Sequence, residues 1–240
     1  MLSKKKRKIP YFMLRTFSAA NMSLENCEPL LPEDKKRFKL LNVKVDSNGI
    51  YIDLKPTFTD ILHKPDLKPA KAIIEDDVEF FMVRSPTGHS RSNVERGLYV
   101  EKAFDLMLGD IGVPRDYADA IRDWRMLRPC EFYVPMLGQL EVKSVARKRY
   151  NGKRMFYVNI GNWNREQPDY AVVLDILDPK RELVQLMGAM DAAKVESYKP
   201  INGEFWGIPI AELNVSAVKL YQALVEIKHR LERLQHLTLA

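Results

Sequence analysis

The chain has 240 residues, 46% hydrophobic and 29% charged, with a formal net charge of +6. That composition is globular: one large domain, or one domain with appendages, and a charge that permits a polyanionic partner without demanding one. No apolar run approaches the ~18–20 residues that cross a bilayer, and no apolar signal core follows the basic start, so the expectation is an intracellular protein without a membrane partner, cytoplasmic unless a eukaryotic source or host makes it nuclear.

Residues 1–15 open with Lys4-Lys-Lys-Arg-Lys8, a basic arm that binds phosphates, directs nuclear import or merely solubilises the chain. Residues 16–36 lack a regular pattern, with Pro29 and Pro32 as breakers. Over residues 37–54, Leu41, Val43 and Val45 alternate, Asn48-Gly49 offers a turn, and Ile50, Ile52 and Leu54 alternate again, which predicts a β-hairpin. Pro56, Pro65 and Pro69 then mark a long irregular link, and Val78-Glu-Phe-Phe-Met-Val83 reads as the end of a strand. Cys27 and Cys130 are far apart in no metal-like spacing and are expected to be free thiols in a reducing compartment.

From Asn93 the period becomes helical, with Leu98, Ala103, Phe104, Met107 and Leu108 on one stripe and Gly109 and Gly112 at its end. A second short helix is predicted over 116–126. Glu131-Phe-Tyr-Val-Pro-Met-Leu-Gly-Gln-Leu-Glu141-Val-Lys143 then reads as two strands with a turn near Gly138. Met155–Ile160 and Tyr170–Leu177 are β-rich, the second nearly continuously apolar as a buried strand should be, and 182–188 is expected to pair with it. Finally, Leu213, Ala217, Leu220, Leu224, Ile227, Leu231 and Leu234 recur at spacings of four and three. That heptad seam suits a homodimer contact, although Val218, Tyr221 and Val225 widen the apolar face toward a helix packing on its own domain.

Chemistry concentrates in the 131–143 hairpin. Alternation puts Glu141 and Lys143 on one face of a strand, and the turn brings Glu131 beside them. Two carboxylates and an ammonium on one patch are costly unless a divalent cation sits between them, so this is a candidate site for metal-assisted phosphodiester chemistry. An acid-x-Lys triplet alone is weak evidence, because the chain has seven, at Glu33, Asp34, Asp53, Asp66, Glu141, Asp178 and Glu226. Most fall in loops or on a helix, where i and i+2 diverge. Asp53-Leu-Lys55, with Asp46 across the hairpin, is the one rival. Residues 143–165 carry Lys143, Arg147, Lys148, Arg149, Lys153, Arg154 and Arg165 without one acid, interleaved with Tyr150, Phe156, Tyr157 and Trp163. Such a stretch suits DNA phosphates; the alternative is a solvated hairpin with core aromatics.

In three places the chain resembles the PD-(D/E)XK nuclease superfamily, including its resolvase-like and phage-type members. Gly97-Leu-Tyr-Val-Glu101 is similar to the family's glycine-to-glutamate helix, Pro129-Cys-Glu131 stands where the family has Pro-Asp, and Leu140-Glu-Val-Lys-Ser144 is similar to its second strand. Pro168-Asp-Tyr-Ala-Val-Val-Leu174 resembles a later core strand. The resemblance covers residues 93–195 and implies an α/β (α+β mixed) fold: a restriction-endonuclease-like core with a central mixed β-sheet flanked by helices, a β-rich N-terminal extension and a C-terminal helix. The expected division is a basic arm (1–15), an extension (16–92), a nuclease core (93–200) and a C-terminal helical segment (201–240) on the core or on a dimer partner. Implied is an Mg²⁺-dependent DNA endonuclease, with Mn²⁺ able to substitute, in recombination, repair, restriction or phage DNA processing. Glu131, Glu141 and the Val142 carbonyl would bind the ion, Lys143 would orient the attacking water, and Glu101 would hold a second ion or a metal-bound water. Arg147, Lys148, Arg149, Lys153 and Arg154 would contact DNA. The departure is Glu131, which replaces aspartate behind the inserted Cys130; Asp116, Asp119 and Asp123 are substitutes in reach of the sequence. The competing reading is a catalytically degenerate nucleic-acid-binding protein on the same fold. A third is an interaction module built on the last helix. His63, His89, His229 and His236 are scattered and take no catalytic role.

Overall fold

The structure, a computed structural model, describes residues 43–54, 57–59, 67–69, 71–72, 74–76, 78–79, 91–108, 132–134, 136–177 and 182–237. The expected basic arm, the 116–126 helix, both cysteines and Glu131 lie outside the described residues.

The hairpin is β1 (Val43–Asp46) and β2 (Gly49–Asp53), paired Val45 to Ile50 and Asp46 to Gly49. Its central turn residues are Ser47 and Asn48 rather than Asn48 and Gly49. The reason is Asp46, whose Oδ1 accepts from the Asn48 and Gly49 amides at 2.7 and 3.1 Å and closes the loop one residue early. The proline-marked link is not wholly irregular, since β3 (Thr57–Thr59) and β4 (Leu67–Pro69) pair antiparallel. Val78 and Glu79 are helical, not the start of a strand. Ile74 and Val78 are both buried, the i, i+4 spacing of a helix face, and that outweighs the local β propensity.

Helix α1 (Arg91–Leu108) follows, then β5 (Phe132–Val134) and β6 (Gly138–Ser144), joined by a tight turn. β7 (Met155–Asn159) leads into α2 (Ile160–Glu166) and β8 (Tyr170–Ile176). β9 (Leu183–Asp191), α3 (Ala192–Glu196), β10 (Phe205–Pro209), a 3-10 turn, β11 (Val215–Ser216) and α4 (Ala217–Leu237) complete the order. The heptad pattern begins at Leu213, but the helix begins only at Ala217, because Val215 and Ser216 pair with Ala189 and Gly188 of β9.

The central sheet is mixed and seven-stranded, in the order β1-β2-β9-β8-β6-β5, with β11 also on β9. β6 and β8 are parallel, and the other neighbours are antiparallel. The chain is thus a mixed α/β fold with helices flanking a central sheet. Ala171 to Leu174 of β8 are completely buried, which is why that strand reads as unbroken apolar sequence. One face of the sheet carries Leu140, Val142, Val172 and Leu174 against Tyr99, Val100, Ala103 and Phe104 of α1 and Leu220, Leu224 and Ile227 of α4. Three positions of the heptad seam are therefore buried within this chain. The opposite face carries Ala171, Val173 and Met190 against Phe156, Val158, Trp163, Val195 and Trp206. The second layer is closed by the two-stranded β7–β10 ribbon and by the edge-to-face contact of Trp163 with Trp206, centroids 6.3 Å apart. Among the described residues no helix is long and apolar enough to cross a membrane.

Candidate functional site

β6 is the strand that builds the site. Leu140 and Val142 face the α1 side, so alternation turns Gln139, Glu141 and Lys143 toward α2. The register is held at the strand's start. The Gln139 amide donates to Asp169 Oδ2 at 2.7 Å, and the Asp169 amide donates back to the Gln139 carbonyl at 2.8 Å. Gly138 has a φ of +102°, and a Cβ there would fall 2.2 Å from Asp169 Oδ2, so only glycine admits this closure. The parallel pairing then sets Glu141 beside Ala171 and Lys143 beside Val173.

Glu141 is 4% exposed, one of few buried charges. Its Oε1 accepts from Lys143 Nζ, the i, i+2 contact that strand geometry permits. Its Oε2 is buried without a hydrogen-bond partner, and so is Gln139 Oε1 on the same face of β6. Opposite them stands Glu166, 5% exposed. Trp163 and Glu166 lie three residues apart on the inward face of α2, a helix capped by Asn159, whose side chain accepts from the Asn162 amide at 2.9 Å. Arg165 reaches Glu166 Oε1 at 3.2 Å. Burial, together with the charge and hydrogen-bonding contact of Glu141, pushes Glu166 from 4.5 up to about 7, against the opposing pull of Arg165 and Lys143. Two buried carboxylates that meet in this way need a proton or a cation between them.

Of the residues singled out in the sequence, Glu141 and Lys143 are in contact. Val142 sits between them with its side chain in the opposite core. Glu101 is half-buried on α1, whose apolar face packs against the Leu140–Val142 side of the sheet, not the Glu141 side. Its Oε1 lies 3.9 Å from where a Cβ on Gly97 would be. Among the described residues no three His, Cys, Asp or Glu side chains form a group able to hold a metal ion, so Glu101 does not join Glu141 and Glu166 in such a set. The rival Asp53 is buried and held by Lys44 across the hairpin at 2.5 Å, while Asp46 is occupied in its turn. Sequence reasoning missed Glu166 and Gln139. The signal for Glu166 was there: Trp163 and Glu166 at helical spacing between two strands.

The basic segment folds as a hairpin tip. Tyr150 and Lys153 exchange both backbone hydrogen bonds at 2.9 Å around Asn151 and Gly152, each with positive φ, the two-residue turn that Asn-Gly favours. Arg147, Lys148, Arg149 and Lys153 are exposed, as are Tyr150 (56%) and Tyr157 (39%). Phe156 and Trp163 are core residues. Arg154 is committed to an ion pair with Asp175.

Comparison of the chain with protein-family models, curated proteins and solved structures gave no match.

Proposed function

We propose that the chain is an Mg²⁺-dependent DNA endonuclease on a restriction-endonuclease-like core, with Glu141, Lys143 and Glu166 at its centre. The observation that carries this reading is the buried Glu141 carboxylate in contact with a second buried carboxylate, Glu166, with an ammonium on Glu141 Oε1. Hard oxygen donors without hydrogens suit Mg²⁺, or Mn²⁺ in its place, and the donor set therefore fits the ion. Glu141 and Glu166 would hold it, with the Gln139 amide oxygen, the Val142 carbonyl and Glu131 as further donors. When bound, Mg²⁺ supplies positive charge to the phosphate oxygens and lowers the pKa of a coordinated water.

The protein's own groups divide the remaining work. Lys143, held on Glu141, keeps its Nζ at the edge of the carboxylate pair, where it orients a water and offsets charge accumulating on the phosphate. Glu166, protonated near neutrality beside Glu141, would give up that proton as the ion enters and then help to hold it. The apolar second layer under α2, with Trp163 bonded to Glu196 at 3.0 Å, fixes the helix that presents it. Exposed cations at the hairpin tip attract the DNA backbone.

The test is cleavage of supercoiled plasmid and of short duplex, branched and single-stranded DNA with Mg²⁺ or EDTA. Wild type should cut only with the metal, and Glu141→Ala, Lys143→Ala and Glu166→Gln should each lose at least about a hundredfold in rate. Full activity in Glu141→Ala would sink the assignment. Absence of wild-type cleavage on every substrate, with DNA binding intact, would favour a nucleic-acid-binding protein with a degenerate site.

A further inference from the structure

A cavity of about 260 Å³ opens at the far end of the β6–β8 pair, lined by Arg96, Arg147, Arg149 and Arg154 around a single acid, Asp175. Three of the guanidiniums come from the loop between β6 and β7 and the fourth from α1, and the carboxylate sets two of them. Asp175 Oδ1 accepts from Arg96 Nη2 at 2.7 Å, and its Oδ2 accepts from Arg154. Arg96 also donates from Nε to the Val145 carbonyl at 3.0 Å, which ties α1 to the strand. Asp175 is 8% exposed, so these bonds are shielded and the guanidinium planes are fixed.

A structural role accounts for Asp175, Arg96 and Arg154, but not for the others. Two arginines already engage both oxygens of the carboxylate. Arg147 forms no ion pair among the described residues, and Arg149 reaches only the Gly152 carbonyl, at 3.4 Å. The cavity wall thus carries more positive than negative charge, and crowding like charges is unfavourable unless an anion enters. Guanidiniums converging from several directions match the tetrahedral oxygens of a phosphoryl group through paired hydrogen bonds, where a flat carboxylate engages fewer of them.

We propose that this cavity is a phosphate site that takes one phosphoryl group of the nucleic-acid strand, with Asp175 as its positioning residue. The proposal rests on the nuclease reading for the identity of the ligand. Glu141 pairs with Ala171, and Asp175 is four residues further along β8, which at about 3.3 Å per residue sets the cavity about 13 Å from the carboxylate pair. That span is about four nucleotides of B-form rise, so the pocket would set how far from a held phosphate the strand is cut. The phosphoryl group is either a terminal monoester or a backbone diester; the chemistry is shared, and the two differ in charge.

The experiment is binding of 3′-labelled oligonucleotides, with 5′-phosphate or 5′-hydroxyl, to the full chain in EDTA, by fluorescence anisotropy across a salt series. Arg147→Ala and Arg149→Ala remove exposed side chains and leave the Asp175 pairs in place. Each should weaken binding about tenfold and reduce the salt slope by about one. Lys219→Ala, an exposed charge on α4 outside the cavity, should change neither beyond about twofold. A tenfold preference for the 5′-phosphate that vanishes in both arginine variants identifies a terminal phosphate. Equal binding of both oligonucleotides, with both variants weakened, identifies a backbone phosphate. Arginine variants indistinguishable from Lys219→Ala, or a wild type that binds neither oligonucleotide, overturn the proposal. Tight, arginine-dependent binding in EDTA, with no cleavage of any DNA when Mg²⁺ is supplied, would defeat the nuclease reading alone. Cleavage with unchanged KM in Arg147→Ala and Arg149→Ala would defeat the phosphate site alone.

Discussion

Replacing Glu166 by Gln should stabilise the protein while abolishing the proposed cleavage. The Glu166 carboxyl titrates near 7 in the fold against an ordinary value of 4.5, because it is buried beside Glu141. A raised carboxyl pKa means that the native state keeps a proton which the unfolded chain has already lost. Stability from this group is fully present below about pH 4.5 and declines as pH rises through 7. A displacement of about 2.5 units at about 1.4 kcal/mol each amounts to about 3 kcal/mol lost by pH 8.5. Glutamine keeps the shape and carries no charge. Glu166→Gln should therefore exceed wild type by about 2–3 kcal/mol at pH 8.5, or about 5–10 °C in Tm, and match it near pH 5. The assay is urea denaturation in EDTA at both pH values. Adding Mg²⁺ at about a hundred times its Kd should restore about 2.7 kcal/mol to wild type at pH 8.5 and less to the variant. A Glu166→Gln protein no more stable than wild type at pH 8.5, or a wild type with flat stability between pH 5 and 8.5, would refute the shared-proton account.

Lys143→Met removes the ammonium from Glu141 and leaves two facing carboxylates; it should cost about 3 kcal/mol at pH 8.5 and clearly less near pH 5, measured by the same denaturation. Gly138→Ala forces a Cβ against Asp169 in a left-handed backbone and should destabilise by about 2–4 kcal/mol; a loss under about 0.5 kcal/mol would contradict the steric argument. Asp175→Ala leaves Arg96 and Arg154 facing each other, and inorganic phosphate at tens of millimolar should raise its Tm by several degrees more than that of wild type. Competition calorimetry at pH 6 and pH 8 in buffers of different ionisation enthalpy should show Mg²⁺ binding release close to one proton at the lower pH and few at the higher.

The strands were legible wherever burial was one-sided or complete. Ile50 and Ile52 alternate because one face of β2 is covered, and Ala171 to Leu174 are continuous because both faces of β8 are. The i, i+2 logic of Glu141 and Lys143 also carried over directly into contact. What the sequence could not give was depth in the third dimension. Glu101 has the right spacing in the chain, but its helix packs on Leu140 and Val142, on the other side of the sheet from Glu141. Glu166 was overlooked because its value arises from a carboxylate 25 positions earlier, brought near by a parallel crossover that no local period reports. The ion pair of Arg154 was not legible because its partner, Asp175, lies on a different strand. Val78 and Glu79 were misread for the converse reason: an i, i+4 burial pair was hidden inside a β-branched and aromatic run.

The pairing of β2 with β9 has a consequence in time. Ile52 meets Val184, so more than half of the chain separates two neighbouring strands. At about 5–20 residues per second, a ribosome needs roughly 7–26 seconds to deliver β9 after β2 has emerged. Through that interval β2 lacks the strand that pairs with it in the central sheet. β9 pairs with β2, β8 and β11, so the central sheet cannot be completed before β9 is made. The N-terminal hairpin is thus synthesised first and secured late, and a nascent chain stalled before residue 183 would carry it as an unsatisfied edge open to pairing with other chains.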